Sequence, residues 1–184
     1  MELATGQDAF DLIKTLGAPE HLQMHVTLVG EAADLVLGAL SDLGVSVESE
    51  FVRMGVALHD IGKIIHTHEM TGPGSEHEPD GEALLLEKGV SPRLARCCMS
   101  HARWQEMECS LEELLIALSD KLWKGKRVEE LELLVIDRIA QLQSVDRWHI
   151  YEMLDSLFES IAADGDIRLN RSVSPFWRRD TEWI

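Results

Sequence analysis

Apolar residues along this chain recur at every third or fourth position, and long alternating runs of β-branched residues are missing. This spacing collects apolar side chains on one face of a helix. It is clearest between positions 19 and 43, where it predicts one long helix that begins after Ala18 and Pro19 and stops near Gly44. His25 lies inside that helix. The sequence therefore predicts an all-α fold with the architecture of a helical bundle.

A second apolar helix is predicted over 50–61, with Gly62 near its end and with His59 and Asp60 in its last turn. From 67 to 81 the pattern gives way to Gly, Pro and charged residues. This composition predicts an exposed loop that brings His77 close to the next helix. Loops of this length inside a compact domain often carry function.

Capping signals predict where two later helices begin. Ser91 and Pro92 are typical of an N-cap and a first helical position, so they predict a helix over 92–102. Ser110 and Glu113 form a capping box at the start of a helix that continues to Asp120. The periodicity alone predicts further helices at about 81–88, 127–143 and 147–163.

The length and apolar content favour a single domain over 1–184. A chain of 184 residues with 45% apolar residues can bury a sizeable core. We expect a motif-bearing core at about 20–128, followed by C-terminal helices and a tail over 129–184. The tail has no clear period, and the role of 165–184 stays open. Its Phe176, Trp177 and Trp183 could pack back on the body or meet a second subunit in a homodimer.

The charge balance restricts the partners and the location. The chain has 33 acidic and 17 basic residues, a formal net charge of −16, which argues against nucleic acid or a membrane as a partner. An anionic substrate would need a local positive site. No apolar run approaches the roughly 18 residues that span a bilayer, and the first ten residues lack Lys and Arg, so we expect a cytoplasmic protein without a targeting segment. The odd count of three cysteines fits a reducing compartment.

Polar residues that interrupt the apolar helices are the strongest functional signal. His25 interrupts the first long helix, the pair His59 and Asp60 ends the second, and Asp120 ends the run LEELLIALSD. Imidazole and carboxylate groups are costly to bury unless they are paired, hydrogen-bonded or bound to a metal. Each alone could be a satisfied core or capping residue, but their joint occurrence favours a metal site.

The order of these residues resembles the HD superfamily of metal-dependent phosphohydrolases over about residues 20–128. The resemblance rests on His25, the doublet in ALHDIGK and the last carboxylate in ALSDKL. It implies that one divalent metal is bound by His25, His59, Asp60 and Asp120. It further implies a second metal in the manner of the binuclear branches, with His77, four residues before Gly81, and His101 as the added ligands.

The resemblance implies hydrolysis of a phosphomonoester or phosphoanhydride of a nucleotide or a related metabolite. Imidazoles and carboxylates suit first-row divalent ions, and Asp60 could bridge two of them through its two oxygens. A water activated by two ions removes the need for a Ser or Cys nucleophile. We expect two divalent ions per chain, and Fe, Mn, Mg, Co, Ni and Zn are not distinguished by these ligands.

Basic residues near the predicted ligands are candidates for binding the substrate. Lys63 follows His59 by four residues, and in the family a Lys at this position often contacts phosphate. Lys63 is therefore a predicted catalytic residue together with Asp60, the candidate bridge. Arg103, Lys124 and Arg127 are the other predicted substrate ligands; the last two belong to a basic cluster after Asp120 that also contains Lys121 and Lys126. Each could instead be a solvated surface residue.

Two other classes of function stay open at this point. Some HD-fold proteins are diiron oxygenases with a similar set of six ligands, and ligand identity does not separate them from hydrolases. The third class is a non-catalytic regulatory module that binds a metal or a nucleotide. The cyclic-dinucleotide branch is less favoured, because the chain has no Gly-Tyr-Pro triplet and carries Ser100-His101 where that branch has a His pair.

Overall fold

The computed structural model describes residues 2–173, and every regular element within that range is helical. The all-α prediction is thereby confirmed. The elements in chain order are α1 (Gly6–Thr15), α2 (Glu20–Asp42), α3 (Ser49–Leu58), a first 3₁₀ turn (Ile61–Ile64), a second 3₁₀ turn (Thr67–Met70), α4 (His77–Glu87), α5 (Pro92–Ala95), α6 (Cys97–Arg103), α7 (Leu111–Leu122), α8 (Glu129–Gln143), α9 (Trp148–Ala163) and α10 (Gly165–Ser172).

Helix α2 is the central element of the bundle and matches the predicted long helix. It packs against α3, α7 and α9, and its apolar side chains from Leu22 to Leu40 are buried. Among the described residues, α2 is the one helix long and apolar enough to cross a membrane by length and composition. Since its apolar face lies against other helices of the bundle, it serves as a core helix of this domain.

Helices α3 and α7 complete the centre, and both are apolar on most of their surface. The predicted capping box at Ser110 and Glu113 is present: the Ser110 hydroxyl accepts from the Glu113 N–H, and the Glu113 carboxylate accepts from the Ser110 N–H. Helix α1 packs on α3 and was not predicted. Its own capping box, Thr5 with Asp8, was a usable sequence signal.

The segment predicted as a long exposed loop over 67–81 is wrong in two respects. It contains the second 3₁₀ turn, and α4 begins at His77, so the 81–88 prediction started four residues too late. Pro79 is compatible with this start because it lies in the first turn, where a helix does not need the N–H that proline lacks. Gly81 lies inside the helix and, as shown below, serves close packing.

Two further helix boundaries differ from the prediction. The helix predicted over 92–102 is divided at Arg96 into α5 and α6, although its predicted start holds, with the Ser91 hydroxyl accepting from the Leu94 N–H. The helix predicted over 50–61 ends at Leu58, and a 3₁₀ turn follows. The chain therefore leaves the α-helical path at the His59-Asp60 doublet.

The C-terminal helices cover one side of the centre. Helix α8 packs on α7, and α9 packs on α2, α7 and α8. Helix α10 lies within the tail that was predicted to lack a period, and its first residue, Gly165, packs against the backbone of Gly125, whose φ of +77° favours glycine. Phe176, Trp177 and Trp183 lie outside the described residues. Cys97, Cys98 and Cys109 are free, as their odd number indicated, and all three are buried.

Candidate metal centre

The structure gathers all six predicted metal ligands at one place. They come from five helical elements: His25 from α2, His59 and Asp60 from the end of α3, His77 from α4, His101 from α6 and Asp120 from α7. Five of them are buried, and His25 is the most accessible, with 13% of its side chain exposed. Groups 95 positions apart in the chain therefore meet in the interior of the bundle.

Three of these side chains form what we call the first half of the cluster: His25, His59 and Asp120. The Nε2 atoms of His25 and His59 are 3.3 Å apart. Each of these atoms is 3.8 Å from Oδ1 of Asp120. Two imidazole nitrogens and a carboxylate oxygen thus face one common point.

The second half of the cluster consists of His77 and His101. Their rings lie 6.1 Å apart by centroid, and each directs Nε2 toward the same oxygen, Oδ1 of Asp60. The separation is 3.2 Å for His77 and 3.6 Å for His101. The two halves are in contact, since His59 lies edge to face against His101 with centroids 4.7 Å apart.

Asp60 lies between the two halves and uses a different oxygen toward each. Its Oδ2 is 3.0 Å from Nε2 of His25 and 3.5 Å from Nε2 of His59. Its Oδ1 faces His77 and His101. A carboxylate with this arrangement can join two ions, one through each oxygen. The prediction of Asp60 as the bridge therefore has a geometric basis.

The donor set fits divalent ions in chemistry and in spacing. Imidazole nitrogen and carboxylate oxygen bind such ions at about 2.0–2.2 Å, so two ligands of one ion are at most about 4.4 Å apart. The separations within the first half, and from Asp60 to the four imidazoles, are 3.0–3.8 Å. Two groups of three side chains in the cluster have ligand atoms within 4.8 Å of one another, His25 with His59 and Asp120, and His59 with Asp60 and His101; His77 approaches this set through Oδ1 of Asp60.

Partners at the far side of the imidazoles fix their orientation. Nδ1 of His59 is 2.8 Å from the Val56 carbonyl oxygen, and Nδ1 of His101 is 3.1 Å from that of Cys97. A carbonyl oxygen accepts a hydrogen bond, so in both rings Nδ1 carries the proton and Nε2 keeps its lone pair for a metal. His77 differs, because its Nδ1 meets the carboxylate of Glu69.

Two glycines explain the spacing of the motifs around His59 and His77. Gly62, in the first 3₁₀ turn, lies so close to the backbone of α4 that a Cβ on it would collide with the His77 carbonyl. Gly81 faces Gly62 from the other side, and a Cβ on Gly81 would lie 3.0 Å from the Gly62 nitrogen. Glycine at both positions lets the two backbones approach, which brings His77 to Asp60.

Burial and mutual contact perturb the protonation of the cluster. Burial lowers the pKa of His59 to about 3, against an opposing effect of Asp60, and burial also lowers the pKa of His101. Burial opposes the ionisation of Asp60, but the adjacent His59, His25 and His77 outweigh it and hold its pKa well below the usual range. His59 and His101 therefore favour the neutral form and Asp60 the ionised form, which are the forms that bind metals. Burial lowers the pKa of His77, but the carboxylates of Asp60 and Glu69 outweigh burial and raise that pKa.

Three lysines surround the two carboxylates. The ammonium of Lys63 is 2.6 Å from Oδ2 of Asp60, and that of Lys121 is 2.6 Å from Oδ2 of Asp120. Lys124 lies 3.6 Å from the same oxygen of Asp120. Burial lowers the pKa of Lys124, an effect that Asp120 opposes and that the neighbouring Lys121 reinforces. In a chain of net charge −16 this is a local concentration of positive charge.

The two predicted arginines lie in other surroundings. Arg103 donates to the buried carboxylate of Glu78 at 2.6 Å, which joins α6 to α4. Arg127 donates to Glu132 and to Asp155, which joins the start of α8 to α9. Their assignment to substrate binding stays a prediction, and the structure gives both a carboxylate partner outside the six-residue cluster.

Two residues beside the cluster were not predicted to contact its ligands. Glu69 is buried and lies in the second 3₁₀ turn, within a segment that resembles an exposed loop by composition. Trp123 follows Lys121 and Leu122 and lies edge to face against His25, with centroids 5.1 Å apart. Helical periodicity places Trp123 in the core. Its contact with His25 was not predictable from the sequence, because it depends on how two helices pack together.

The arrangement defines a class of protein: a helical bundle with a buried His and Asp cluster able to hold metal ions. The family model described as HD domain matches residues 22–124, more than half of the chain, so this chain belongs to the HD-domain family. That superfamily is one of metal-dependent phosphohydrolases, and its members typically bind divalent metals.

A curated relative supports the same membership. The uncharacterized protein MJ0778 of Methanocaldococcus jannaschii is 32% identical over 139 residues, which cover 67% of this chain and 78% of the relative. No solved structure matches the chain significantly.

Proposed function

We propose that this protein is a binuclear metal-dependent phosphohydrolase that cleaves a phosphomonoester or phosphoanhydride of a nucleotide or a related metabolite. The observation that carries the proposal is the position of Asp60. One of its oxygens faces His25 and His59, and the other faces His77 and His101. This is the arrangement expected of a carboxylate that bridges two ions.

The six side chains divide between two ions as follows. His25, His59 and Asp120 would hold one, His77 and His101 would hold the other, and Asp60 would contact both. When bound, two such ions act as Lewis acids toward phosphoryl oxygens and lower the pKa of water. The chain itself supplies a site that is ready for them, since His59 and His101 are kept neutral and Asp60 ionised by their surroundings.

The lysines support a phosphorylated substrate in preference to an uncharged one. Lys63 reaches the same carboxylate that joins the two halves, so its ammonium lies where a phosphoryl group would be bound. Lys121 and Lys124 approach from α7 and the residues after it, on the side of Asp120. Together they offset the repulsion that an anionic substrate meets from an acidic chain. Their role is to bind and orient the phosphate, because each ends in a charged donor group.

The experiment is a phosphate-release screen on protein stripped of metal and then reconstituted with single divalent ions. Nucleotides, dinucleoside polyphosphates and simple phosphoesters are the substrates, and free phosphate and product nucleotides are both measured, because cleavage of a dinucleoside polyphosphate gives two nucleotides and no free phosphate. We expect release that depends on an added ion and is absent from the stripped protein. Release that persists after stripping would contradict the proposal. Two bound irons with oxygen consumption and no phosphate release would assign the protein to the oxygenase class instead.

A further inference from the structure

We propose that Glu69 is a positioning residue that holds His77 in place for the second ion and controls the affinity of that ion. This inference rests on the proposed function, because it concerns the ion that His77 would bind. Glu69 comes from the second 3₁₀ turn, eight positions before His77, and is 5% exposed. Its carboxylate is therefore an interior group that needs partners.

The hydrogen-bond partners of Glu69 are at the beginning of α4, and Nε2 of the exposed His68 lies 3.8 Å from its Oε1. One carboxylate oxygen accepts from the Glu76 N–H at 3.1 Å, and the other accepts from the His77 N–H at 3.2 Å. The second oxygen also meets Nδ1 of the His77 ring. Glu69 thus fixes both the backbone and the ring of one candidate ligand. The Glu69 carboxylate is also packed against Gly74. A Cβ on Gly74 would collide with the carboxylate, so glycine at this position leaves room for it.

The contact decides which nitrogen of His77 is free to bind. Nδ1 is engaged by Glu69, and Nε2 is directed to Oδ1 of Asp60 at 3.2 Å. A carboxylate behind a metal-bound histidine fixes the ring orientation and increases the basicity of the ring toward the metal. Backbone carbonyls do the same for His59 and His101, but they carry no net charge. Glu69 is the charged member of this outer set.

The location of Glu69 restricts its influence to one half of the cluster. His77 lies in the second half, and the first half is built from α2, α3 and α7, none of which contains Glu69 or His77. Loss of the carboxylate should therefore weaken one ion and leave the other. A residue with a merely structural role would weaken both ions or neither.

The test is a Mn²⁺ titration of the metal-free full-length chain, followed by electron paramagnetic resonance, which separates isolated from spin-coupled ions. For the wild type we expect two ions per chain and a spin-coupled signal. For Glu69→Gln we expect the first ion with unchanged affinity and the second weakened about 10- to 100-fold, with the coupled signal delayed accordingly. Thermal unfolding of the metal-free variants checks that they fold.

Glu113→Gln is the matched control. Glu113 is also buried, accepts a backbone N–H and pairs with an arginine, but it contacts none of the six cluster residues. It should leave both affinities as in the wild type. Glu69→Asp retains the charge and shortens its reach; it should weaken the second ion less than Glu69→Gln does, and it replaces that variant if the amide prevents folding.

The outcomes separate the two claims. Fewer than two ions in the wild type would overturn the binuclear site, and this inference with it, before any variant is considered. Two ions in the wild type with unchanged affinities in Glu69→Gln would overturn the role of Glu69 alone. Equal weakening of both ions in Glu69→Gln would likewise contradict it, because that result indicates a general structural defect.

Discussion

The two halves of the cluster are built in different ways. The first half, His25, His59 and Asp120, is carried by α2, α3 and α7, which form the apolar centre of the bundle. The second half, His77 and His101, is carried by α4 and α6; the position of α4 depends on close backbone packing at Gly62, and that of His77 on a carboxylate from a 3₁₀ turn. The difference teaches that a polar cluster can combine ligands fixed by the core with ligands fixed by local loop contacts.

A consequence is that the second half should be the more easily disturbed. Displacement of a ligand on α2 or α7 would require repacking of the core, which is costly in a closely packed interior. Displacement of His77 requires only a shift of the first turn of α4. Substitutions can therefore affect one half more than the other. The following four are ordered by the size of their expected effect.

Asp60→Ala should have the largest effect, because it removes the carboxylate that directs one oxygen to each half. We expect the loss of both ions and of phosphate release. Elemental analysis of the gently purified variant, beside the wild type, measures this directly. Full retention of metal and activity would contradict the bridging role of Asp60. The two halves would then be independent sites.

Gly62→Ala should affect the second half and leave the first. A Cβ at this position collides with the His77 backbone, so α4 must move away from the first 3₁₀ turn. We expect a loss of about 1–3 kcal/mol in the free energy of unfolding and a weaker second ion.

The control for that substitution is Gly38→Ala. Gly38 lies in α2 with open space around it, so the new methyl group should stabilise the helix by about 0.5–1 kcal/mol. Chemical denaturation and metal titration of both variants test the pair. Equal effects of the two substitutions would show that the close backbone approach at Gly62 contributes neither to stability nor to the affinity of the second ion.

Lys63→Ala should reduce turnover and keep the metals. Its ammonium is paired with Asp60 and does not orient the imidazole ligands. Loss of a charged donor to a phosphate corresponds to a decrease of about 10- to 100-fold in kcat/KM. The measurement is steady-state hydrolysis together with metal content. Unchanged kinetics would make Lys63 a surface lysine without a role in the reaction.

Arg127→Gln should have the smallest effect. The guanidinium pairs with Glu132 and Asp155 between α8 and α9, and it is partly exposed. We expect a change of at most about 1 kcal/mol in the free energy of unfolding and no change in KM. A KM raised to the level of Lys63→Ala would instead show that Arg127 binds the substrate, as the sequence predicts.

The sequence predicts the first half of the cluster better than the second. His25 and Asp120 fall on long periodic helices, so their presence in the interior follows from helical spacing. His77 was expected at a loop, because THEMTGPGSEHEPDG is composed of residues typical of exposed turns. Its burial depends on Gly62, Gly81 and Glu69, contacts between segments that no local pattern encodes.

The surroundings of the basic residues were the least predictable part of the site. Sequence placed Lys124 and Arg127 in one cluster after Asp120. In the structure Lys124 stays beside Asp120, whereas Arg127 lies past Gly125 and turns to α8 and α9. Gly125, with φ of +77°, changes the direction of the chain between them. Three residues of separation in sequence were therefore insufficient to keep both side chains at the same site.

The measurement that tests the central claim most directly is the number of metal ions per chain in the wild-type protein, determined by elemental analysis after gentle purification and by titration of the stripped protein. The account predicts two divalent ions per folded chain. One ion per chain would contradict the bridging role of Asp60, and none would contradict the proposed chemistry altogether.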